Sequence, residues 1–508
     1  MFRKPSPSDL RRSAEALGIE MSEKQVEDVH QLVSHLSEGF DIVEQLPDDL
    51  PPVKYPRTPG YRPGPEENPL GAWYMKTDIK GAKRGPLKGK RVAVKDNICL
   101  AGVPMMNGAS VLEGYVPEID ASIVTRLLDK GAEIVGKAVC EYFSQAGGSS
   151  TSATGPVQNP RNPGYTPGGS STGNAALVSA GEVDMAIGTD QAGSIRIPCS
   201  YSGIVGVKPT WGLIPYTGIM SIEYSIDHTG PMTKTVADNA LFVDALSGPD
   251  DYDARQIGSK PRKIQPHLDK GAKGLSVAVV KEGFGQPESE ADVDEVVRQA
   301  AKRFESLGAT VTEVSIPWHL YGAPIWGAIS TGAALNTFIV GNGFGGGTAG
   351  VYLPSLIRAV SVWPHRANDL APTVATTMIL AQYLQSEFKG VHYAKAQNLR
   401  RPLGAAYDAA LAEADILVMP TTILKTTRIP PADAPFEDIM KHSWEMIGNT
   451  SPFDLTGHPA LNVPSGLSED RPVGMQVIAK HWDEPTLYRA AYAFEQSVDW
   501  QTLGPAGR

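Results

Sequence analysis

Thr166-Pro-Gly-Gly-Ser170-Ser-Thr-Gly173-Asn174 and, a short way downstream, Gly188-Thr-Asp190-Gln-Ala-Gly193-Ser194-Ile-Arg196-Ile-Pro198 are the two stretches on which the reading of this chain turns. Glycines beside serines let backbone approach a ligand closely and adopt conformations that other residues avoid. A flexible linker has similar composition, but these segments abut apolar elements, and the second carries Asp190 and Arg196, which a linker does not need. Residues 174–180 read as a helix and 183–187 as a strand, so the two segments sit on either side of a helix–strand unit.

Outward from this centre the elements alternate. Residues 91–94 form a short apolar strand; 123–130 read as a helix and 132–135 as the strand after it. Residues 275–280, 293–307 and 310–316 read as strand, helix and strand, and 416–419 and 474–478 as further buried strands. Alternation of this kind predicts an α/β domain with a mixed, mostly parallel sheet flanked by helices. Residues 319–400, helical pieces broken by glycine, proline and tryptophan, read as the part that shapes a pocket.

The N-terminal region differs in texture. Residues 7–46 look helical: Ser22 and Gln25 have capping-box spacing, and Val26, Val29, Leu32, Val33, Leu36, Phe40 and Val43 form one apolar stripe that needs a partner surface. Prolines then crowd residues 47–69, an extended linker. The expected organisation is a helical segment with its linker over 1–66 and a catalytic domain over 67–508.

A length of 508 residues is more than one compact core sustains. The net charge of −10 argues against a nucleic-acid partner. No apolar run approaches the ~18 residues of a membrane span, and Met1-Phe2-Arg3-Lys4-Pro5 has no apolar stretch behind it, so no signal peptide is expected. Cys99, Cys140 and Cys199 are odd in number and lack metal spacing, which predicts reduced core thiols in a cytoplasmic protein. The ten histidines show no zinc spacing, and no metal or cofactor is expected.

Three patterns are discounted. Gly169-Ser170-Ser171-Thr172-Gly173 matches the nucleophile elbow G-x-S-x-G, but a turn-rich loop precedes it where a strand is required. Gly341-Asn-Gly343-Phe-Gly-Gly346 matches G-x-G-x-x-G with no helix behind it. A second Gly-Gly-Ser-Ser-Thr, at 147–151, reads as structural.

Together with Val94-Lys95-Asp96-Asn97, the two glycine–serine segments resemble the amidase signature family. Lys95 stands in that family's lysine motif, Ser170 opens its Gly-Gly-Ser-Ser run, and Ser194 ends its Asp-x-Gly-Gly-Ser motif, with separations of 75 and 24 residues. Val207-Lys208-Pro209-Thr210 and Thr456-Gly457-His458-Pro459-Ala460 also match, and the likeness runs from about Asn68 to the C-terminus. One departure is Ala192, in place of the first glycine of the usual pair.

The resemblance implies an amidase-signature fold and hydrolysis of carboxylic amides without a cofactor. It assigns Ser194 as nucleophile, Ser170, held by a cis peptide from Gly169, as relay, and Lys95 as base. It places the oxyanion hole at the N–H groups of Gln191, Ala192, Gly193 and Ser194. Lys95 must then be neutral, which burial favours. Asp190 and Arg196 are expected to pair and hold the turn, and His228 to be a satisfied buried histidine. Tyr142, Phe143, Trp326 and Thr450 are candidate acyl-pocket residues. Within the family the chain looks most like bacterial amidases of small aliphatic and aromatic amides, and its N-terminal helices look like those of dimeric members. A small amide or carbamate substrate and a homodimer are therefore expected, with no nucleic-acid or membrane partner. Urethane or aryl-amide cleavage on the same triad is one alternative, and a component of a tRNA-dependent amidotransferase is another.

Overall fold

The computed structural model describes residues 3–343 and 345–505. Met1, Phe2, Phe344 (within the Gly341–Gly346 run) and residues 506–508 lie outside the described residues. The chain divides into two compact units, Met1–Pro51 and Pro52–Arg508.

In the first unit the expected helical stretch is two helices, α1 (Pro7–Ala16) and α2 (Glu23–Gln45). The break follows from Gly18, whose φ of 72° ends α1. Ser22 and Gln25 then cap each other's backbone N–H groups and start α2.

Among the described residues the second unit is built on eleven strands: β1 (Trp73–Lys80), β2 (Arg91–Lys95), β3 (Glu133–Ala138), β4 (Met185–Asp190), β5 (Val205–Lys208), β6 (His228–Thr233), β7 (Ser276–Val280), β8 (Thr310–Val314), β9 (Ile416–Pro420), β10 (Ala460–Ser468) and β11 (Arg471–Ala479). They form one sheet in the order β1-β3-β2-β4-β6-β5-β10-β11-β9-β7-β8. The expectation of a mostly parallel sheet is corrected here. Only β3/β2, β2/β4, β9/β7 and β7/β8 are parallel; the other six neighbouring pairs are antiparallel. The cause is the middle of the sheet. β10 and β11 are joined by a tight turn at Glu469 and Asp470, both with positive φ, the geometry that twists a hairpin shut. β5 and β6 also pair antiparallel. Strand–helix–strand alternation, and with it parallel pairing, is confined to the two wings.

The helices cover the sheet with apolar stripes. In Ala291–Ser306, Val293, Val296, Val297, Ala300, Ala301 and Phe304 recur at helical spacing, and all are buried with Val277, Val418 and Val477 of the sheet. On the other wing Leu127, Leu177 and Phe242 pack with Val92, Val94, Ile134 and Ile187. One helical run, Pro317–Val340, is long and apolar enough to cross a membrane by composition, with mean hydropathy 1.2. It is not an unbroken apolar run, since His319, Ser330, Thr331, Asn336 and Thr337 interrupt it. Its Ile325, Trp326, Ile329 and Ala333 are buried, the first three in a core cluster that includes Tyr407, Leu403 and Phe453.

Candidate active site

β2 and β4 are parallel neighbours, so their C-terminal ends emerge side by side. Lys95 is the last residue of β2 and Asp190 the last of β4. The edge at the carboxyl ends of parallel strands is where α/β sheets gather ligands. Both glycine–serine segments arrive there, because Ser171 precedes the helix Thr172–Ala180 and Ser194 precedes the helix Arg196–Ser202.

Lys95 and Ser170 are fully buried, and Lys95 Nζ lies 2.7 Å from Ser170 Oγ and 2.9 Å from Thr189 Oγ1. Asn97 Nδ2 donates to the same Thr189 oxygen at 3.1 Å. Thr189 is a residue the motif reading passed over. Its signal was weak: a threonine inside an apolar strand, one residue before the aspartate. The Gly169–Ser170 peptide is cis. Ser171 N–H donates to Ser194 O at 3.2 Å, which fastens the two serine segments together. Ser171 itself turns its hydroxyl to Thr189 O at 3.2 Å, away from any elbow role.

Burial pulls the Lys95 ammonium down to about 8, against the opposing pull of Cys140 and of the acidic groups Asp190, Glu141 and Asp227. A lysine in that range has an accessible neutral form.

The turn after β4 is held by an ionic network. Arg196 Nε and Nη2 each donate to Asp190 at 3.0 Å; Nη2 also donates to Asp454 at 2.7 Å, and Nη1 to Thr450 O at 2.9 Å and to Gln476 Oε1 at 2.7 Å. All of this is buried, and against that desolvation Arg196 keeps Asp190 ionised, while burial beside Asp190 pushes Asp454 up. The expected Asp190–Arg196 pair is thus one edge of a larger network. Asp190 also takes the N–H of Gly193 at 2.5 Å and of Ile195 at 3.1 Å. Gly193 therefore leaves the expected oxyanion set, its N–H being spent on the turn. Among the described residues the N–H groups of Gln191, Ala192 and Ser194 have no protein acceptor. Gly193 has φ 129°, and a Cβ there would sit 2.3 Å from Thr450 Oγ1, so glycine is required.

Ser194, Gly169, Gln191 and Ala192 line a cavity of about 20 Å³, closed by Trp326, Trp444, Ile222, Ile197 and Ile447. That volume holds little more than one water. Of the four candidate pocket residues only Trp326 lines it; its Nε1 donates to Gln191 O at 2.7 Å, and its ring packs on Trp444 at 5.6 Å. The other three are corrected. Thr450 stands behind the turn, donating to Ala192 O at 2.5 Å. Tyr142 faces Ser110, 3.1 Å away, and Phe143 packs on Phe338, so both belong to the core. Trp444, Ile222 and Ile447 were missed because they come from segments without motif character. A larger cavity, about 550 Å³, shares no lining residue with this one; Tyr216 lines it and accepts from Gln191 Nε2 at 2.8 Å.

Of the remaining chemistry-bearing groups only Gly147, which opens the second Gly-Gly-Ser-Ser-Thr, lines the Ser194 cavity. Cys99, Cys140 and Cys199 are buried free thiols. His228 is buried, with Nδ1 2.8 Å from Ile226 O, and burial holds it neutral. In the second Gly-Gly-Ser-Ser-Thr, Ser149 Oγ donates to Val157 O at 2.8 Å and Thr151 N–H to Glu141 Oε2 at 2.9 Å, a bracing role. Among the described residues, the side chains grouped as a metal would need them are Asp408, His458 and His481, none of which lines the Ser194 cavity.

Comparison with known proteins identifies the family. The Amidase family model matches residues 67–488. An enantioselective amidase of Rhodococcus rhodochrous is 46% identical over 442 residues, 86% of this chain and 85% of that one. A glutamyl-tRNA(Gln) amidotransferase subunit of Exiguobacterium sibiricum is 37% identical over 419 residues, 82% and 86% of the two chains. Among solved structures, the native peptide amidase of Stenotrophomonas maltophilia superposes with a TM-score of 0.65 at 29% identity, covering 82% of this chain and 83% of that one. The chain belongs to the amidase family and is a serine amidase that hydrolyses C–N bonds.

Proposed function

We propose that Ser194 is the nucleophile, Ser170 the proton relay and Lys95 the general base of a hydrolase for small carboxylic amides. The observation that carries this reading is the buried 2.7 Å approach of Lys95 Nζ to Ser170 Oγ, beside the cavity that Ser194 lines. Neutral Lys95 takes the Ser170 proton as Ser170 takes that of Ser194, and Ser194 Oγ bonds to the amide carbon. The N–H groups of Gln191, Ala192 and Ser194 receive the oxyanion. Collapse breaks the C–N bond, and the leaving amine or ammonia carries away the proton returned by Lys95 through Ser170. Water, activated by the same relay, then cleaves the acyl-enzyme to the acid.

A cavity of about 20 Å³ walled by two tryptophans favours a small or flat acyl group. Leu32, Leu36 and Val43 of α2 and Leu46 just past its end, each more than half exposed, supply an apolar face for a homodimer. The three buried thiols suit a reducing cytoplasm, and the charge of −10 suits no nucleic-acid surface.

The test is release of acid and ammonia or amine from a panel of aliphatic amides, aryl amides and carbamates by wild type, Ser194→Ala and Lys95→Ala. Turnover by wild type with loss in both variants supports the triad, and the preferred panel member names the substrate class. Full activity in Ser194→Ala overturns it. The 37% identity to an amidotransferase component favours one further reading, a chain that works in a complex. Turnover by the purified chain alone, without added partners, rules against that.

A further inference from the structure

Asp408 projects from the helix Val391–Glu413, His458 follows the helix Ser451–Thr456, and His481 follows β11. Fifty residues separate the first two, and 23 the last two, so no sequence spacing joins them. In the fold one ligand atom from each comes within 4.8 Å of the others. His458 Nε2 is 3.1 Å and His481 Nδ1 3.9 Å from Asp408 Oδ1, and the two imidazole rings lie 3.9 Å apart between centroids.

The opposite nitrogens are both tethered to one residue. His481 Nε2 donates to Thr456 O at 3.0 Å, which leaves the lone pair on Nδ1, the atom facing Asp408. His458 Nδ1 lies 2.9 Å from Thr456 Oγ1, and its Nε2 donates to Asp408 Oδ1 at 3.1 Å; a bound ion would take the place of that Nε2 proton, with Nδ1 then donating to Thr456 Oγ1. Orientation of a ligating imidazole by a hydrogen bond at its far nitrogen is the arrangement found around protein-bound metals.

We propose that Asp408, His458 and His481 form a binding site for a divalent transition-metal ion of the zinc, cobalt or nickel kind. Two imidazoles and one carboxylate suit such borderline ions. Metal–ligand bonds of about 2.0–2.2 Å put tetrahedral ligands about 3.3–3.6 Å apart. The 3.1 Å pair is slightly tighter than this and the 3.9 Å pair slightly wider, within reach of a small swing of Asp408, whose side chain is 63% exposed, and the ligand atoms all lie within 4.8 Å of one another. Asp408 and His481 border an open cavity of about 560 Å³, which gives an ion its entry and its water ligands. That cavity shares no lining residue with the one at Ser194, so the site is structural and not part of amide hydrolysis. Its loop follows Asp454, the carboxylate 2.7 Å from Arg196 Nη2, so a bound ion would pin the segment that supports the active-site turn.

The test uses the full chain stripped with a chelator. Zinc is titrated by calorimetry and cobalt by its visible ligand-field bands, in wild type and in Asp408→Asn, His481→Gln and Thr456→Val, each checked for folding by circular dichroism. The proposal expects one ion per chain, a rise in Tm on binding, and loss of about 100-fold or more in affinity in the two ligand variants. Thr456→Val, which keeps the carbonyl but loses the hydroxyl, should lose about 10–100-fold. Failure of wild type to bind either ion overturns the proposal. So does binding to the folded Asp408→Asn and His481→Gln variants with wild-type affinity, which would place the ion elsewhere.

Discussion

Lys95 Nζ and Ser170 Oγ stand 2.7 Å apart with neither residue exposed to solvent. A charged ammonium in that position is poorly solvated, and the same burial that disfavours its charge makes it a usable base. Replacing Lys95 by methionine keeps the stem and removes the amine. We expect Lys95→Met to fold normally, by circular dichroism and Tm, and to lose about 10²–10⁴-fold in kcat/KM, the range for one general base.

The pH dependence has a definite sign. Lys95 works only when neutral and its ammonium is pulled down to about 8, so kcat/KM should rise about tenfold per pH unit below that value and level off above it. A profile of kcat/KM on an unionised amide between pH 5 and 10 checks this. A limb centred near 6.5 would point instead to a histidine.

Arg196 joins Asp190, Asp454, Thr450 and Gln476 in a buried network with no solvent to replace it. Arg196→Ala leaves two buried carboxyl groups without their cation, and should cost about 3–5 kcal/mol in urea unfolding. Activity should fall with it, because Asp190 also holds the N–H groups of Gly193 and Ile195.

Much of this centre was legible because its residues are close in sequence to their own signals. Ser170, Ser194 and Asp190 sit in glycine-rich segments, and Lys95 ends an apolar strand, so local composition marked each of them. The strand–helix–strand unit ending at Thr310–Val314 was legible for the same reason, and its two strands do pair in parallel. The middle of the sheet was not, because pairing of β4 with β6 or of β5 with β10 is decided by contacts far apart in the chain. β1 and β6 escaped notice, β1 being interrupted by Lys76, Thr77 and Asp78, and β6 by Gly230 and Pro231. The pocket was hardest. Trp326 was found by its position in an irregular region, while Trp444 and Ile222 carry nothing in their neighbourhoods to set them apart from core.

Gly193 is the position least able to change. Gly193→Ala would bring a methyl group against Thr450 Oγ1 and force a side chain to φ 129°. We expect it to lose at least about 10²-fold in kcat by displacing the neighbouring N–H donors. Restoration of activity by Thr450→Ser, which removes a methyl group but keeps the hydroxyl, would not follow, since the clash is with the oxygen.

Trp326 and Trp444 close the cavity above Ser194. Trp444→Ala should shift the preference of kcat/KM toward bulkier acyl groups, measured on an aliphatic series of rising chain length. Trp326→Ala also removes the bond to Gln191 O and should lower kcat on every substrate.

The most direct measurement is to find where the acyl group goes. The chain would be mixed with an activated aryl ester or slow amide, quenched in acid during turnover, and mapped by peptide mass spectrometry. The expected result is one acyl mass on the peptide carrying Ser194, located on that serine and absent in Ser194→Ala. An acyl group on Ser171 or Cys199, or turnover with no covalent adduct, would contradict the account.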